Sequence, residues 1–590
     1  MTAPNYCPVP EEVPGNPGRR LGRSSIWWLQ LSLWISLIAP FAAEAEIIPA
    51  ARRINWARGF AGVPGGIPDR TNIFCNVRVS IPGTNIVAKG DGIANDAPAI
   101  DAALRACPSN KVVYLPAGRY LCRDCLSIRS DGVTLRGDGM GKTVIVADTV
   151  NNCSGFFSIG TFRENPAAER AIVSGFNKGS SNIVVSSSAG LTVDRTLLKI
   201  WHTNLPTVKH TGSSINMTRH MAKVVKIDGT KVTFWPPLVY DFTNKPTFKY
   251  HDLFLTHRSG VEELTISAAS NVSAYLISLQ QTFGCWLKNV ETHKASAAHV
   301  FAFYTVLNEV RGCYVHEAFS YGANSGAGIE LYTHNTGFLI EDNVIESAFP
   351  STMLSGSSSG CVVAYNYSHN PQSGSVLIGG DFNCNHGPHN VMNLYEGNVG
   401  SMFQSDGYFG SASEITAFRN AFSGSHPTLT LNQKAVDICR WSRNFNVVGN
   451  VLGAPNWTGA YETFTNNYSY RVPTIYRLGY PGMANNGYTG TNPPSTDAMA
   501  LDLGVAATLL RHGNFDYATR KTNWDSKISD RAIPASLLYT AKPAWWPAEL
   551  RWPAIGPDQQ PMVSLIPAQW RFFNSPDSEA PQRLRQVTPP

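Results

Sequence analysis

Two nearby segments of the sequence hold most of the side chains that could carry chemistry. They read GGDFNCNHGPHNVMNLYEGN and SDGYFGSASEITAFRN. Their main ionisable residues are Asp381, His386, His389, Glu396, Asp406 and Arg419. Histidine can act as a base near neutral pH, arginine binds carboxylates, and carboxylate oxygens bind Ca²⁺. This combination suits removal of a proton next to a sugar carboxylate, although a single loop histidine is more commonly structural.

Each residue of this group has an expected role in such a reaction. His389 is the predicted base, and Arg419 is predicted to bind the substrate carboxylate with help from His386. Asp381 and Asp406 are predicted to hold Ca²⁺, the one cofactor expected.

Hydrolysis is the alternative, and it would use two carboxylic acids instead of a base and a cation. Glu396 and Asp406 form the nearest pair for that purpose. A further set alternates in the segment AGIELYTHN, where Glu330, Tyr332 and His334 share one face of a predicted strand.

A recurring asparagine indicates the scaffold that positions these residues. Seven short apolar blocks recur every 22–32 residues between Cys285 and Gly453. One register of these blocks holds Asn289, Cys313, Asn343, Asn366, Asn398, Asn420 and Asn450. Such a period is typical of a solenoid, and asparagine tolerates the left-handed backbone of a tight corner. We therefore predict an all-β, right-handed parallel β-helix; a β-sandwich with asparagine-rich turns is the alternative.

Within this repeat, one column of side chains is predicted to point outward. It runs Leu287, Arg311, Glu341, Ala364, Glu396, Phe418 and Val448. Stacked coils lie about 4.8 Å apart, so Arg311 would neighbour Glu341, and Glu341 would lie about 10 Å from Glu396. We predict that Arg311 and Glu341 bind substrate and that Glu396 acts in catalysis; the alternative is a solvated face with one salt bridge.

The chain begins with features of an exported protein. Three arginines precede the apolar run from Ile26 to Phe41, which ends in Ala43-Glu44-Ala45. This pattern predicts a secretory signal peptide, with a membrane anchor as the alternative. We expect a secreted or periplasmic protein with no membrane contact after cleavage. The net charge of +6 suits an acidic polymer, and no basic tract indicates nucleic acid.

Eleven cysteines occur, and Cys7 falls in the leader. The remaining even number predicts disulfides in an exported protein. Cys75 with Cys107 is the preferred pair. Cys122 and Cys125 form a CxxC that is expected to make a local or crossed disulfide.

The segment before residue 150 carries a family resemblance. Gly90-Asp91-Gly92, Asn95-Asp96, VVYLPAGRY and GVTLRGDG resemble the opening of pectate-lyase-like β-helix proteins of the rhamnogalacturonase, epimerase and pectate-lyase-3 group. The resemblance implies a capping helix, which Asp96 and Pro98 place at about Ala97 to Ala106. A β-rich insertion is predicted at about 171 to 238, around the Asp228-Gly229 turn.

The resemblance and the site residues together predict an enzyme that cleaves an acidic polysaccharide, most simply by β-elimination. The alternatives are a glycoside hydrolase on the same fold and a non-catalytic carbohydrate-binding or adhesin β-helix. Trp545, Trp546, Trp552 and Trp570 are expected to cap the last coils, or to stack on sugars. The predicted organisation is a signal peptide (1–45), an N-terminal cap with the first coils (46–150), a coil with the insertion (151–260), the β-helix core (261–455) and a loop-rich C-terminal cap (456–590).

Overall fold

The chain forms a parallel β-helix whose short strands stack along three faces. The computed structural model describes residues 47–57, 59–148, 153, 155–162, 168–210, 214–251, 255–271, 274–322, 324–372, 380–406, 408–426, 433–463, 472–480 and 501–574. The predicted signal peptide lies outside these residues. The predicted fold class, with its capping helix and β-rich insertion, is confirmed. Within the described residues, no helix is both long and apolar enough to cross a membrane.

The strands of the three faces pair in parallel from coil to coil. Face 1 comprises Ile73–Asn76, Lys111–Tyr114, Val133–Arg136, Glu309–Arg311, Leu339–Glu341, Val362–Ala364, Leu394–Glu396, Thr416–Phe418, Asn446–Val448 and Leu510–His512. Face 2 comprises Asp91–Asn95, Gly118–Cys122, Thr143–Ala147, Tyr314–Ala318, Val344–Glu346, Tyr367–His369, Val399–Gly400, Ala421–Phe422, Val451–Leu452, Asn514–Asp516 and the antiparallel Lys521–Asn523. Gly260–Ala268 and Trp286–Ala295 bend from face 1 into face 2. Face 3 comprises Leu126–Ile128, Gly155–Gly160, Thr256–His257, Tyr275–Phe283, Ala298–Val306, Ala327–Thr336, Thr352–Leu354, Phe382–Asn385, Phe403–Ser405, Lys434–Ile438, Ala460–Thr463 and Thr474–Leu478.

A buried asparagine ladder joins the coils at the corner between faces 1 and 2. Each side-chain amide donates to the side-chain oxygen of the next asparagine at 2.9–3.0 Å, and that oxygen also accepts a backbone N–H. The ladder runs Asn343, Asn366, Asn398, Asn420, Asn450 and Asn514. The predicted position of the corner is confirmed from Asn343 onward, but the predicted reason is wrong. The left-handed backbone lies one residue before each asparagine, at Asp342, Tyr365, Gly397, Arg419 and Gly449. Asn289 is the exception, because Lys288 rather than Leu287 pairs with Arg311, which shifts that block by one residue.

The β-rich insertion is a closed six-stranded barrel with its own apolar core. Its strands are Arg170–Ser174, Asn182–Val185, Leu197–Trp201, Arg219–Asp228, Lys231–Trp235 and Thr247–His251. The predicted Asp228-Gly229 turn joins two of them, with Asp228 paired to Lys231. The strand Arg219–Asp228 packs on face 3, where the Met221 N–H donates to Thr336 Oγ1 at 2.8 Å.

In the part of the chain that the structure describes, three short α-helices accompany the strands. Helix α1 (Ala97–Ala106) packs its apolar face on the first coil, as predicted, and the others are α2 (Leu503–Thr508) and α3 (Pro567–Asn574), besides a 3₁₀ turn at Ala50–Arg52. The Asp96 carboxylate does not cap α1. It accepts the N–H groups of Lys89 and Gly90 and ties the preceding loop to the helix.

One disulfide is formed among the described cysteines, and it is not the preferred pair. Cys125 bonds Cys153, so the second cysteine of the CxxC bridges successive coils while Cys122 stays free. The predicted Cys75–Cys107 pair is wrong, since both thiols are free and buried. Burial raises the pKa of each to about 11.

Candidate active site

The outward column of face 1 is aligned as predicted, but it does not line an open groove. Arg311, Glu341, Ala364 and Glu396 pair in register through adjacent coils. Residues 531–558 lie along this flank and bury it. The expectation of an exposed column is therefore wrong, and the C-terminal aromatics cover the side of the solenoid rather than its end alone.

Arg311 and Glu341 are occupied by groups of the chain itself. Arg311 contacts Glu341, and Tyr539 donates its hydroxyl to the same carboxylate. The Trp545 ring centre lies 5.4 Å from the Arg311 guanidinium carbon. Substrate binding by Arg311 or Glu341 would need this segment to move away.

Glu396 is sealed beneath the same segment. It accepts hydrogen bonds from Tyr365 Oη at 2.5 Å, from the Leu537 N–H at 2.8 Å and from Ser536. Burial raises the pKa of its carboxyl group. The cavity beside it measures about 10 Å³, room for one water and not for a sugar.

Arg419 is likewise committed to the covering segment. Its guanidinium binds both carboxylate oxygens of Asp558 at 2.7 and 2.8 Å and donates to the carbonyls of Ile533, Pro534 and Ile555. The arginine predicted to bind a substrate carboxylate therefore binds a carboxylate of this chain.

His389, the predicted base, is buried where the barrel meets the solenoid. Its Nδ1 lies 2.9 Å from the Ser411 carbonyl and its Nε2 lies 2.9 Å from Ser413 Oγ, so both ring nitrogens have partners. Burial lowers its pKa to about 4. In this arrangement His389 holds the Ser411–Ser413 loop and does not reach a sugar.

The predicted calcium pair is not brought together. Asp381 directly precedes the strand Phe382–Asn385, and Asp406 lies beyond the far end of that strand and its neighbour. At about 3.3 Å per residue, the two carboxylates are more than a strand length apart and cannot share one ion. Asp406 and Glu396 do not pair either, because Asp406 lies on face 3 and Glu396 lies on face 1.

His386 and Asp406 do meet, at the edge of face 3. Asp406 Oδ2 lies 2.6 Å from His386 Nδ1 and accepts Asn383 Nδ2 at 2.8 Å, while Oδ1 accepts the Tyr408 N–H at 2.7 Å. A carboxylate can only accept, so Nδ1 carries the hydrogen and Nε2 is the basic nitrogen. Burial opposes charge on the ring, but Asp406 outweighs it and raises the pKa of His386 above 6.5. The imidazole remains 29% exposed.

The runner-up residue Glu330 lies on the same face, two strands from Asn383 through Met353. Ser355 Oγ donates to Glu330 Oε1 at 2.7 Å. Burial raises the pKa of this carboxyl group, while the charge on His386 lowers it. The two groups therefore interact electrostatically.

Exposed aromatic rings flank the polar groups on face 3. Tyr332 is 46% exposed and its ring centre lies 5.2 Å from that of Phe301, which stacks on Tyr275 at 3.8 Å. Tyr408 and Phe409, both exposed, lie 5.3 and 5.1 Å from the His386 ring. Flat apolar faces beside a few polar groups are the usual lining of a ligand site.

Arg219 of the barrel borders the same face. It donates to the carbonyl and side-chain oxygens of Asn216 at 2.6 and 2.9 Å and contacts His334. Burial lowers its pKa, and no carboxylate of the described residues contacts it. No sequence pattern pointed to this residue, because it lies in the insertion, far from His386 along the chain.

One family model matches part of the chain. Residues 84–235 match the model described as "Rhamnogalacturonase A/epimerase, pectate lyase-like". This segment is therefore similar to that family. The resemblance drawn from the sequence before residue 150 is thereby confirmed over the first coils, and the match continues into the barrel.

Curated relatives match a shorter stretch. Mannuronan C5-epimerase AlgE1 of Azotobacter vinelandii is 46% identical over 67 residues, which is 10% of this chain and 5% of that protein. The chain thus spans only a small part of its length.

Two solved structures are similar to the chain at low identity. The tailspike protein gp49 from Pseudomonas phage LKA1 is 11% identical, with 67% of this chain and 76% of that chain covered and a TM-score of 0.37. The A-module of Azotobacter vinelandii mannuronan C-5 epimerase AlgE6 is 14% identical, with 73% and 97% covered and a TM-score of 0.37. Structural similarities this weak do not indicate the activity of this chain.

Proposed function

We propose that the chain is an exported enzyme that cleaves a uronic-acid-containing polysaccharide by β-elimination at the site on face 3. The observation that carries the proposal is the His386–Asp406 pair, a carboxylate-oriented imidazole left partly open beside exposed aromatic rings. The pectate-lyase-like segment at residues 84–235 and the basic, apolar and small-residue leader support it.

In the proposed reaction, His386 Nε2 takes the proton from the sugar carbon next to the carboxylate. The electron pair left on that carbon forms a double bond as the neighbouring carbon–oxygen bond to the next sugar breaks. The imidazolium then returns its proton to the departing oxygen, so one group serves as base and then as acid. Asp406 and Glu330 stabilise the imidazolium by their charges.

Arg219 is proposed to bind the substrate carboxylate. A guanidinium matches a carboxylate with two parallel hydrogen bonds and withdraws the charge that develops when the proton leaves. Arg219 borders face 3 and has no carboxylate of its own among the described residues. It takes the role first predicted for Arg419, which binds Asp558 instead.

Calcium has no part in this reaction scheme. Asp381 and Asp406 were predicted to hold it, but Asp381 precedes the strand Phe382–Asn385 and Asp406 follows the neighbouring strand Phe403–Ser405. The two carboxylates are therefore too far apart for one ion. No step of the proposed chemistry is assigned to it.

Epimerisation is the second candidate, because both the matched family description and the curated relative name epimerases. It shares the proton abstraction, but a second acid then adds a different proton to the opposite face of the same carbon, leaving the chain intact. Hydrolysis is less supported, since its predicted carboxylates, Glu396 and Asp406, lie on different faces.

The test is a panel of uronic-acid polymers and matched neutral polymers, each assayed with and without chelator. Elimination gives an unsaturated product that absorbs in the ultraviolet. Epimerisation gives no cleavage but exchanges the abstracted proton for deuterium in heavy water. New reducing ends without unsaturation would instead indicate hydrolysis. Binding without any of these changes would favour the non-catalytic alternative and contradict the proposal.

A further inference from the structure

Face 2 carries a second cluster of titratable side chains, on a different face from the proposed active site. His293 and His316 are register partners on adjacent strands, and their rings stack with centres 4.7 Å apart. The Glu317 carboxylate approaches His293 Nε2 at 3.5 Å. One ligand atom from each of these three residues lies within 4.8 Å of the others.

The backbone at Glu317 explains how neighbouring residues share this surface. Side chains normally alternate between the two faces of a strand, which would turn Glu317 inward next to an outward His316. Glu317 has φ of 56°, in the left-handed region, and its side chain is 51% exposed. The alternation is broken at this residue, so the carboxylate joins the two imidazoles outside the coil.

Each imidazole is also oriented by a neighbour through one nitrogen. His316 Nε2 lies 2.9 Å from Glu291 Oε1, and Thr265 holds the other oxygen of that carboxylate at 2.5 Å. His293 Nδ1 lies 3.2 Å from Ser267 Oγ. This leaves His316 Nδ1 and His293 Nε2 to face a ligand. A carboxylate bonded to the far nitrogen of a histidine is the usual support of a metal-binding histidine.

We propose that His293, His316 and Glu317 bind a divalent first-row transition metal such as zinc. Two imidazoles and one carboxylate suit such ions better than they suit calcium, which prefers oxygen ligands alone. Zinc lies about 2.0–2.1 Å from its nitrogen ligands, so tetrahedral ligands stand roughly 3.3 Å apart. The three ligand atoms lie within 4.8 Å of one another, and rotation of the His293 and Glu317 side chains, which are 30% and 51% exposed, would bring them to that spacing. Water completes the site, and the proposal does not depend on the activity proposed for face 3.

The test is zinc titration of the untagged full chain by calorimetry after removal of bound metal with chelator. We expect one zinc per chain, and we expect cobalt to give the visible absorption of a nitrogen-ligated tetrahedral ion. His293→Ala and His316→Ala should each abolish both signals. Glu291→Gln, which removes only the supporting carboxylate, should weaken zinc binding about 10–100-fold.

His369→Ala is the matched control, because His369 lies on the same face but packs on Phe572 of α3. It should leave zinc affinity unchanged. Should a histidine variant fail to fold, Glu317→Gln alters an exposed side chain and should still lower affinity. The proposal is overturned if the parent chain binds no zinc, or if the double variant of His293 and His316 binds it as tightly as the parent.

Discussion

Faces 1 and 3 of the solenoid both present carboxylates, yet their surroundings differ. On face 1, Glu341 and Glu396 lie beneath residues 531–558, and they accept hydrogen bonds from Tyr539, Ser536 and the Leu537 N–H of that segment. On face 3, Glu330 and Asp406 stand beside a partly exposed imidazole and exposed aromatic rings. A column of acids on a β-helix can therefore serve either to fasten a covering segment or to act on a ligand.

The register of the strands therefore does not show whether an acidic column fastens a covering segment or acts on a ligand. The side chains of face 1 align as the repeat predicts, but alignment says nothing about what packs on top. The hydrogen-bond partners of each side chain distinguish the two uses. Glu396 and Arg419 bind the C-terminal segment, whereas His386 contacts Asp406 through Nδ1 and keeps its basic nitrogen for a substrate. Single substitutions on the two faces should therefore have different consequences for activity and for stability.

Replacing the base of face 3 should have the largest effect. His386→Ala removes the group that moves the proton, so kcat should fall about 10²–10⁴-fold. Thermal stability should change little, because the ring is partly exposed. Steady-state kinetics on the responsive polymer, with a melting curve, measures both. Unchanged turnover in a folded variant would contradict the assignment of the active site to face 3.

The corresponding change on face 1 should affect stability instead. Glu396→Ala leaves Tyr365, Ser536 and the Leu537 N–H without their acceptor in a buried site, which should cost about 3 kcal/mol of unfolding free energy. The folded fraction should keep the parent kcat. Denaturant unfolding and active-site-normalised kinetics separate the two effects. A large loss of kcat at full stability would return the chemistry to face 1.

Asp406→Asn should alter the pH profile as well as the rate. The active form of His386 is neutral, so activity should rise with pH through its pKa, which Asp406 raises above 6.5. Without that carboxylate the rising limb should move to lower pH, and kcat should fall about 10²-fold as ring orientation is lost. The stabilisation from the ion pair is present below the unfolded pKa of His386 and is lost as pH rises through the folded one. If the rising limb of the pH–rate profile stays at the same pH, a group other than His386 controls it.

Arg219→Gln should weaken binding of acidic substrates selectively. Losing hydrogen bonds to a charged group costs about 1.5–3 kcal/mol, which corresponds to roughly a 10–150-fold loss in kcat/KM. The matched control is Lys223→Gln on the same strand, which should change little, because Lys223 already binds Asp194. Equal losses for both variants would mean that overall charge, and not a specific clamp, attracts the polymer.

Asp558→Asn should have the smallest effect, a loosening of the cover over face 1. Arg419 holds the pKa of Asp558 below 3.8 against the effect of burial, so this pair stabilises the fold above that value and its contribution is lost as pH falls. With Asp558 partly exposed, the loss at neutral pH should be about 1 kcal/mol. Melting curves should differ at neutral pH and converge in acid. A difference that persists in acid would show that the hydrogen-bond geometry, rather than the charge, matters.

Local patterns determined the coil. The alternation of inward and outward residues and the Pro98-containing helix are set by backbone preferences within a few residues, and the asparagine at each bend recurs because its side chain bonds the next coil. They predicted the β-helix, the corner from Asn343 to Asn450 and the register from Arg311 to Val448. Asn514 was missed, because a long excursion separates it from Asn450 and hides the period.

Contacts between distant parts of the chain decided the site. Glu396 and Arg419 are sealed by residues more than a hundred positions later, and Arg219 reaches face 3 from a barrel inserted long before His386. Whether a carboxylate is buried, paired or open depends on which surfaces pack together, and the free energy of removing it from water is set by those neighbours. Short-range patterns in the chain thus specify the solenoid and the residues aligned along it, whereas the packing of distant segments specifies which of its faces stays open to a ligand.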